Sequence, residues 1–266
     1  EEGDTTGPKS AKRVLNHCET DVAVLEVARG GILREGLAYE KADVAIFTNL
    51  SEDHLGVGGI DTLEELLQVK SLVIEAVKDQ GTYVLNADDP WIMKAKDKAR
   101  GKVTLFSLEA NNPHVGQHIE SGGTAIFVRD GSIVIVKDRQ ECKMIDVDEI
   151  PATLDGSLRH NIYNSIAAIG GCIALGISLD TIRKTLGEFA CDNNINPGRF
   201  NIYELGHDTK VVLDYGHNID GYEATIEGLK SLEPKRLIGI IGVPSDRKDE
   251  DIVRIGEISG RSFDTV

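Results

Sequence analysis

The sequence has 266 residues, of which 41% are hydrophobic and 27% are charged, and this composition excludes a mainly disordered chain. Its 29 basic and 44 acidic residues give a net charge of −15, which repels phosphate backbones and anionic membranes and argues against a nucleic-acid or membrane partner. The longest apolar runs, such as 166–177, are shorter than the roughly 20 residues that a membrane-spanning helix needs.

The cysteines and the first residues indicate where the protein works. No Cys-x-x-Cys pair occurs among Cys18, Cys142, Cys172 and Cys191, which predicts a reducing, cytoplasmic environment without disulfides or a zinc site. The chain opens on acidic residues rather than on a basic and apolar signal segment. It also lacks an initiator methionine, so we expect a fragment of a longer cytoplasmic protein.

Short apolar runs alternate with helical patterns through the first half of the chain. The pattern predicts buried strands over 22–25, 44–47, 82–85 and 103–106. Because these strands are apolar throughout and are separated by helices, we expect a parallel sheet covered on both faces. Ligands bind at the carboxyl ends of such strands, where the sequence places Glu26, Asn49, Asn86 and Asp88.

The middle of the chain breaks this alternation. Asp130-Gly131, between the runs 124–128 and 132–136, predicts a β-hairpin that forms an antiparallel appendage. Helices are predicted over 161–175 and 179–189, with Ser178 as the N-cap of the second.

The segment 193–198 is rich in Asn, Pro and Gly and is the best linker in the chain. We therefore predict a first domain over 1–196 and a second over 197–266. In the second, the pattern predicts strands over 200–204, 210–214 and 236–241 and helices near 221–231 and 251–260. A further strand should begin at 262–266, so we expect an incomplete Rossmann-like domain.

A metal site is favoured by three side chains near one predicted sheet edge. A Thr62-x-x-Glu65 capping box begins the helix whose apolar face includes Lys70. Such a lysine either extends its amine to solvent, which the pattern alone favours, or is drawn towards His54. A carbamate formed there with carbon dioxide would be an anionic metal ligand. Glu26 is either a solvated strand end or a hard oxygen ligand for Mg²⁺.

Polar residues in the second half of the chain suit a nucleotide. Asn161 is interpreted as a helix N-cap, whereas Asn164 lies one turn inside the helix, and because asparagine is a poor helix former its amide could face a nucleotide. The guanidinium of Arg199 suits phosphate, although the alternative is an arginine in a surface turn.

Two strand-to-helix turns carry further candidates. Asp214 could accept hydrogen bonds from a ribose, and His217 could contact phosphate. Asp246 and Arg247 follow another apolar strand, but each turn is also of a common structural kind. No Gly-x-x-x-x-Gly-Lys-Ser/Thr loop occurs in the sequence, so the chain has no such loop to hold the β- and γ-phosphates.

Taken in order, these segments resemble the Mur ligase family of ATP-dependent amide-bond ligases. Segment 48–56 is similar to the family's Asn-x-x-x-Asp-His stretch, and Lys70 stands where many members carry a carbamylated lysine. Further landmarks match at 86–90, 160–164, 197–200 and 214–218. The resemblance implies an α/β fold: a Mur ligase-like central domain with a mostly parallel sheet and a small antiparallel appendage, then a partial Rossmann-like domain.

The resemblance also assigns a role to each candidate residue. It implies that ATP and Mg²⁺ are the cofactors and that catalysis uses Lys70, His54 and His217. Mg²⁺ would be held by Glu26, His54 and carbamylated Lys70, and the nucleotide by Asn161, Asn164, Arg199 and Asp214. Because the family's P-loop is expected just upstream of Glu1, we expect the isolated chain to be inactive.

Three stretches, 2–8, 28–34 and 242–252, resemble the branch of the family that acts on a poly-aspartate polymer. For that branch, ATP phosphorylates an aspartate side-chain carboxylate and the amine of arginine then forms an isopeptide; lysine as the amine stays open. Arg29, Arg34, Asp246 and Arg247 are hypothesised to contact substrate. For Arg29 and Arg34, surface salt bridges to Glu35 or Glu40 are the alternative.

Other readings remain open at this point. The chain could belong to a ligase for a peptidoglycan precursor or for folylpolyglutamate, or to a non-catalytic homologue that binds nucleotide or polymer. A homo-oligomer of the parent protein is also left open.

Overall fold

A computed structural model describes residues 6–52, 55–56, 58–244 and 247–266. Packing divides the chain into two compact units that alternate along the sequence. The first contains residues up to 128 together with 135–142 and 166–177, and the second contains 129–134, 143–165 and 178–266. The domain boundary at 196/197 stays a prediction.

The larger sheet has six strands that neighbour one another in chain order. They are β1 (Ala42–Phe47), β2 (Val77–Asn86), β3 (Lys102–Ser107), β4 (Thr124–Arg129), β5 (Ser132–Lys137) and β6 (Gln140–Asp146). The pairs β1–β2, β2–β3 and β3–β4 are parallel. The strands predicted over 44–47, 82–85 and 103–106 are therefore confirmed.

The core lies on the central strands of this sheet. Val84, Leu85, Leu105 and Phe106 are fully buried. Because neighbouring residues of a strand point to opposite faces, both faces of the sheet are covered, as the continuous apolar runs predict.

Within the described residues, two helices precede the first strand, and the other helices lie between or after the strands along the chain. They are α1 (Pro8–Leu15), α2 (Arg29–Glu35), α3 (Leu63–Lys70), α4 (Leu72–Glu75), α5 (Pro90–Ala95), α6 (Pro113–Glu120), α7 (Arg159–Ala174), α8 (Leu179–Glu188), α9 (Ile219–Ser231) and α10 (Asp249–Ser262). Asp89 and Asn112 cap α5 and α6 with their side chains, each followed by proline, a favoured helix start. No helix in the described ranges is long and apolar enough to cross a membrane.

Two tight turns build the antiparallel part of the larger sheet. Asp130 and Gly131 join β4 to β5 with φ of 50° and 73°, as a two-residue hairpin turn of type I′ requires. The predicted hairpin is confirmed. Asp138 and Arg139 join β5 to β6 with φ of 52° and 62°, but this turn lacks the usual Asn or Gly and was not predicted.

The second unit ends in a hairpin and two helices. β7 (Asn201–Gly206) pairs antiparallel with β8 (Thr209–Leu213). Ser178 caps α8 by accepting a hydrogen bond from the Thr181 amide at 3.2 Å, as predicted. Helices α9 and α10 confirm the patterns near 221–231 and 251–260.

Two predicted strands are wrong. Residues 22–25 are extended but form no strand, and Val24 is 91% exposed. The run 236–241 is reduced to a single parallel bridge between Ile238 and Thr265, and Ile240 is fully exposed. An apolar run becomes a strand only where a neighbouring backbone pairs with it, and within the described residues neither run has more than this one bridge.

The long predicted helix that follows Thr62 is also interrupted. α3 begins at the predicted capping box, in which Thr62 and Glu65 bond reciprocally, and it ends at Lys70. The buried Ser71 donates its hydroxyl hydrogen to the Leu67 carbonyl at 2.6 Å, a back-bond that bends helices. Val77, which would continue the apolar spacing of this helix, begins β2.

Candidate functional site

The residues predicted to bind metal lie in the first unit. Glu26 is exposed, next to the extended run 22–25, and Lys70 is half-buried at the last position of α3. His54 lies outside the described residues, and among those described no three His, Cys, Asp or Glu side chains converge on a metal-sized site. The metal set therefore stays a prediction.

Donor chemistry tests how well this set suits Mg²⁺. The carboxylate of Glu26 is a hard oxygen donor of the kind Mg²⁺ prefers. Lys70 as an ammonium repels a cation, so it fits only after conversion to a carbamate. Of the two described residues, only Glu26 fits Mg²⁺ as it stands.

The polar residues at the ends of β1, β2 and β3 form a hydrogen-bonded network. The side-chain nitrogen of Asn86 donates to the Thr48 carbonyl at 2.8 Å, and its side-chain oxygen accepts from the backbone amide of Asp88 at 2.9 Å. Asp89 accepts from the Leu50 amide at 2.7 Å. These bonds tie the loop after β1 to the loop after β2.

Asp88 carries the same network to β3. One carboxylate oxygen accepts from the Ser107 hydroxyl at 2.6 Å and from the side-chain nitrogen of Asn112 at 2.8 Å. The other oxygen accepts from the backbone amide of Leu108 at 2.8 Å. Because so many protein donors meet these groups, Asn86 and Asp88 hold the strand ends together. We call Asn86, Asp88 and Asp89 the strand-end network.

A second cluster surrounds Asp214, which follows β8 directly. One of its oxygens accepts from the Phe200 amide at 2.9 Å, and the other accepts from the Thr225 hydroxyl at 3.1 Å. The Tyr215 amide donates to the Gly198 carbonyl at 2.8 Å. Asp214 thus joins the turn before β7, the end of β8 and helix α9, and a ligand would share oxygens that already accept one bond each.

His160 lies half-buried in the same cluster, at the second position of α7. Burial lowers its pKa from the ordinary value of 6.5. The negative charge of Asp214 raises this pKa, the positive charge of Arg199 lowers it further, and the negative charge of Glu227 raises it. A neutral imidazole is therefore favoured here at neutral pH, which suits a positioning role better than an anion contact.

The ring of Tyr215 is 66% exposed, and it lies beside the exposed Arg199 and the half-buried His217. The guanidinium carbon of Arg199 lies 5.6 Å from the ring centroid, and the His217 ring lies 5.7 Å from it. The Nδ1 of His217 is 3.2 Å from the Tyr215 carbonyl, an acceptor, so we assign the proton to Nδ1. Arg247 donates from Nε to the His217 carbonyl at 3.2 Å.

This arrangement brings together two of the four predicted nucleotide residues, Arg199 and Asp214, with His217, which was predicted to be catalytic. Arg199 and His217 lie beside the Tyr215 ring, Asp214 precedes Tyr215 in the chain, and Arg247 bonds to the His217 carbonyl. Helix α9 follows His217, and Asn218 caps it by accepting from the Gly221 amide at 2.8 Å. We call Arg199, Asp214, Tyr215 and His217 the Tyr215 cluster. Asp246, predicted beside Arg247, lies outside the described residues.

The interpretation of Asn161 as an N-cap is wrong. α7 begins at Arg159, so Asn161 lies in the first turn, and its amide donates to the Ala152 carbonyl at 2.7 Å and to the Cys191 sulfur at 3.2 Å. Its oxygen accepts from the exposed Asn164 at 3.3 Å. Burial raises the pKa of the Cys191 thiol, and the bond from Asn161 opposes that effect.

The predicted substrate residues of the first unit lie on α2. Arg29 is its first residue and is half-buried, and Arg34 is exposed. The guanidinium of Arg34 lies over Gly30, 3.7 Å from where a Cβ on that glycine would be. The two arginine side chains therefore share one end of the helix.

Sequence reasoning missed three members of the second cluster. Tyr215, Thr225 and Glu227 were given no role, although the position of Tyr215 between Asp214 and His217 was a usable signal. Thr225 and Glu227 both lie about two turns from the start of α9, and only the packing of that helix brings them to Asp214 and His160.

Two sequence profiles match the chain. The Mur ligase middle domain matches residues 3–172, and the Mur ligase glutamate ligase domain matches residues 198–266. The chain belongs to the Mur ligase family. The predicted family is thereby confirmed, and so is the predicted fold class of a mostly parallel sheet with a small antiparallel part.

Individual relatives sharpen the comparison. Over all 266 residues the chain is 40% identical to cyanophycin synthetase from Crocosphaera subtropica, and it spans 30% of that protein's length. It is 29% identical over 241 residues, 91% of the chain, to a UDP-N-acetylmuramoyl-L-alanyl-D-glutamate–2,6-diaminopimelate ligase from Caldanaerobacter subterraneus subsp. tengcongensis, of which it spans 45%. The resemblance that stretches 2–8, 28–34 and 242–252 predict, to the cyanophycin synthetase branch of the family, is confirmed by the first relative.

A solved structure supports the fold alone. MurF from Acinetobacter baumannii matches 84% of this chain and 44% of its own with a TM-score of 0.59 at 20% identity. At that identity the match carries no statement about substrate.

Proposed function

We propose that the protein is an ATP-dependent amide ligase that attaches arginine to the aspartate side chains of a poly-aspartate polymer. The observation that supports it most is the 40% identity with a cyanophycin synthetase over the whole chain. The whole reaction is a proposal, because the chain spans only 30% of that relative.

The proposed reaction has two steps. An aspartate carboxylate oxygen bonds to the γ-phosphorus of ATP while the bond to ADP breaks, which gives an acyl phosphate. The α-amine nitrogen of arginine then bonds to the acyl carbon, inorganic phosphate leaves, and the amine proton passes to a base. The first step needs cationic groups to offset phosphate charge, and both need donors for developing negative charge.

We assign the nucleotide to the Tyr215 cluster. Arg199 would donate to phosphate oxygens with charge-assisted bonds from its guanidinium, and His217 would lie near the γ-phosphate. Asp214 would accept from a ribose hydroxyl while it continues to hold Phe200 and Thr225 in place. Asn161 and Asn164 would contribute from the first turns of α7, where Asn161 positions Asn164 through their mutual bond.

The metal is assigned to the first unit. Glu26, His54 and carbamylated Lys70 would hold Mg²⁺, which supplies Lewis-acid stabilisation of the transferring phosphoryl group when bound. Arg29 and Arg34 would bind polymer carboxylates, Arg247 would contact substrate near His217, and Asp246 is also proposed to contact substrate. The cytoplasm is the proposed location, and two domains that meet at 196/197 are the proposed organisation.

The test uses the protein expressed from its complete gene, because the sequence holds no Gly-x-x-x-x-Gly-Lys-Ser/Thr loop. Phosphate release from ATP is measured with a poly-aspartate primer, with and without arginine. We expect release that requires both. Replacing arginine by lysine in a parallel reaction identifies the amine, and mass spectrometry of the polymer confirms the isopeptide.

A peptidoglycan-precursor ligase is the second candidate function. It is favoured by the 29% identity with the diaminopimelate ligase over 91% of the chain. Release of phosphate with a UDP-muramoyl peptide and diaminopimelate, but not with poly-aspartate, would replace the first proposal by this one. A folylpolyglutamate acceptor belongs in the same panel, and a folded protein that binds nucleotide without any turnover would indicate a binding homologue.

A further inference from the structure

The exposed face of α1 is basic in an acidic protein. Lys9, Lys12 and Arg13 are all exposed, and their spacing of three and four residues places them on one side of the helix. The helix contains no aspartate or glutamate. This face stands out against the net charge of −15 of the whole chain.

A close contact joins α1 to α2. A Cβ on the buried Gly31 would lie 2.9 Å from Cδ of Pro8, the first residue of α1. Only glycine lets the two backbones approach this far without a shift. The basic side chains of α1 are therefore carried on a helix that is packed directly against the helix bearing Arg29 and Arg34.

The place where α1 packs against α2 also lies beside Glu26. A cavity of about 10 Å³, enough for a single water, is lined by Pro8 and Ala11 of α1, by Gly31 of α2 and by Glu26. Glu26 is the described residue that suits Mg²⁺. A chain bound across α1 and α2 would thus lead towards the proposed reaction centre.

We infer that Lys9, Lys12 and Arg13 extend the α2 arginines into a docking surface for an acidic polypeptide, which holds carboxylates several residues away from the reacting one. The inference rests on the proposed function and names the part of the chain that would bind its polymer. Side chains three or four apart on a helix are about 5–6 Å apart at Cβ. Alternate side chains of an extended polypeptide are about 7 Å apart, a difference that flexible lysine and arginine side chains span.

An acidic polypeptide fits this surface better than a nucleic acid. The cations occupy two short helices, while acidic residues such as Glu26, Glu35 and Glu19 lie in the same part of the chain. A strand of carboxylates can meet the cations one at a time and avoid the acids, whereas a duplex presents two continuous rows of phosphate.

The test is a binding measurement on the protein expressed from its complete gene. Fluorescein-labelled deca-aspartate is titrated without ATP, and its anisotropy gives Kd at several salt concentrations. The variant is K9Q/K12Q/R13Q, and the matched control is K137Q/R139Q/K184Q, which removes three exposed cations elsewhere. Circular dichroism checks that both fold, which we expect because glutamine is nearly as good a helix former as lysine or arginine.

We expect the α1 variant to bind deca-aspartate about tenfold more weakly at low salt, as the loss of three exposed ion pairs implies, and with a smaller salt dependence. In turnover its KM for the polymer should rise by a similar factor while kcat is retained. The control variant should match the unmodified protein in every measurement.

Three results would overturn the inference. If the α1 variant and the control bind equally while the unmodified protein still turns over poly-aspartate, the docking surface is wrong and the proposed function stands. If the unmodified protein neither binds nor turns over poly-aspartate, both fail together. If a DNA oligonucleotide of the same charge binds as tightly and loses affinity to the same extent, the partner class is wrong.

Discussion

The strand-end network and the Tyr215 cluster use similar residues at similar places and differ in what their polar atoms contact. Both follow strands, and both contain an aspartate directly after or near a strand end. In the network, the two Asp88 oxygens accept three bonds from Ser107, Leu108 and Asn112. In the cluster, the Tyr215 ring is 66% exposed, and Arg199 beside it is exposed as well.

The difference shows how to separate a structural acid from a ligand-binding one. A carboxylate that meets several protein donors is held in place and stabilises the fold, and it has little capacity left for a ligand. The exposed guanidinium of Arg199, beside an aromatic face, offers donors to a ligand. Position at the carboxyl end of a strand is shared by both and therefore decides nothing by itself.

Lys70→Ala should give the largest effect of any single substitution. If a carbamate of Lys70 holds Mg²⁺, its loss removes a metal ligand, and we expect kcat to fall by at least about 1000-fold, equivalent to ~4 kcal/mol in the barrier. Phosphate release with poly-aspartate and arginine measures it. Lys98→Ala, which removes a salt bridge to Glu75 of 2.8 Å, is the control, and equal activity of the two variants would contradict the assignment.

Asp88→Ala should test the structural side of the comparison. It leaves the buried Leu108 amide without its acceptor, and it reduces Ser107 and Asn112 to the carbonyls of Glu109 and Ala87. We therefore expect the free energy of unfolding to fall by about 3 kcal/mol. Urea denaturation measures it, with Asp97→Ala at an exposed position as the control. Unchanged stability together with lost nucleotide binding would move Asp88 to the ligand-binding class.

Arg199→Ala should test the ligand-binding side. We expect the Kd for ATP to rise about tenfold, the usual size for one charge-assisted bond, with stability almost unchanged because the side chain is exposed. Calorimetric titration measures the affinity, and Arg261→Ala on the exposed face of α10 is the control. A large loss of stability with unchanged affinity would instead place Arg199 with the structural residues.

His118 should give the smallest effect, and one that depends on pH. Its Nε2 lies 3.0 Å from the Val103 carbonyl, and burial lowers its pKa from 6.5, partly opposed by that bond. The unfolded chain therefore takes up a proton at higher pH than the folded one, so stability is full above about pH 6.5 and falls as the pH decreases towards the folded pKa.

His118→Gln should reduce this loss of stability between pH 7.5 and 5.5, as measured by the urea midpoint at each pH. His114→Gln, on the same helix α6, is the control and should keep the pH dependence of the unmodified protein. An identical pH dependence in the His118 variant would show that other groups cause it.

The sequence predicted elements whose determinants are local. The hairpin at Asp130-Gly131, the Thr62 capping box and the Ser178 cap depend on neighbouring residues, and all three are confirmed. The predicted strands over 22–25 and 236–241 failed because pairing depends on a backbone far away in sequence, which periodicity does not contain. Family membership followed from motif order, which the sequence carries in full.

The candidate site was harder to predict than the fold. Residue types indicated Arg199, Asp214 and His217. No spacing rule could show that Thr225 donates to Asp214, or that the side-chain amide of Asn161 donates to the Ala152 carbonyl and the Cys191 sulfur. Such partners are set by tertiary packing. The assignment of a residue to fold or ligand therefore needed the hydrogen-bond partners that only the structure supplies.

The two-residue turns of the larger sheet have a consequence for the order of folding. β4, β5 and β6 are joined by Asp130-Gly131 and by Asp138-Arg139, so their pairings close very short loops. The parallel pair β1–β2 joins Ala42 to Val77 and must close a long loop first, which slows formation. We expect the antiparallel meander to form early and to offer the edge of β4 as the template on which the parallel strands assemble.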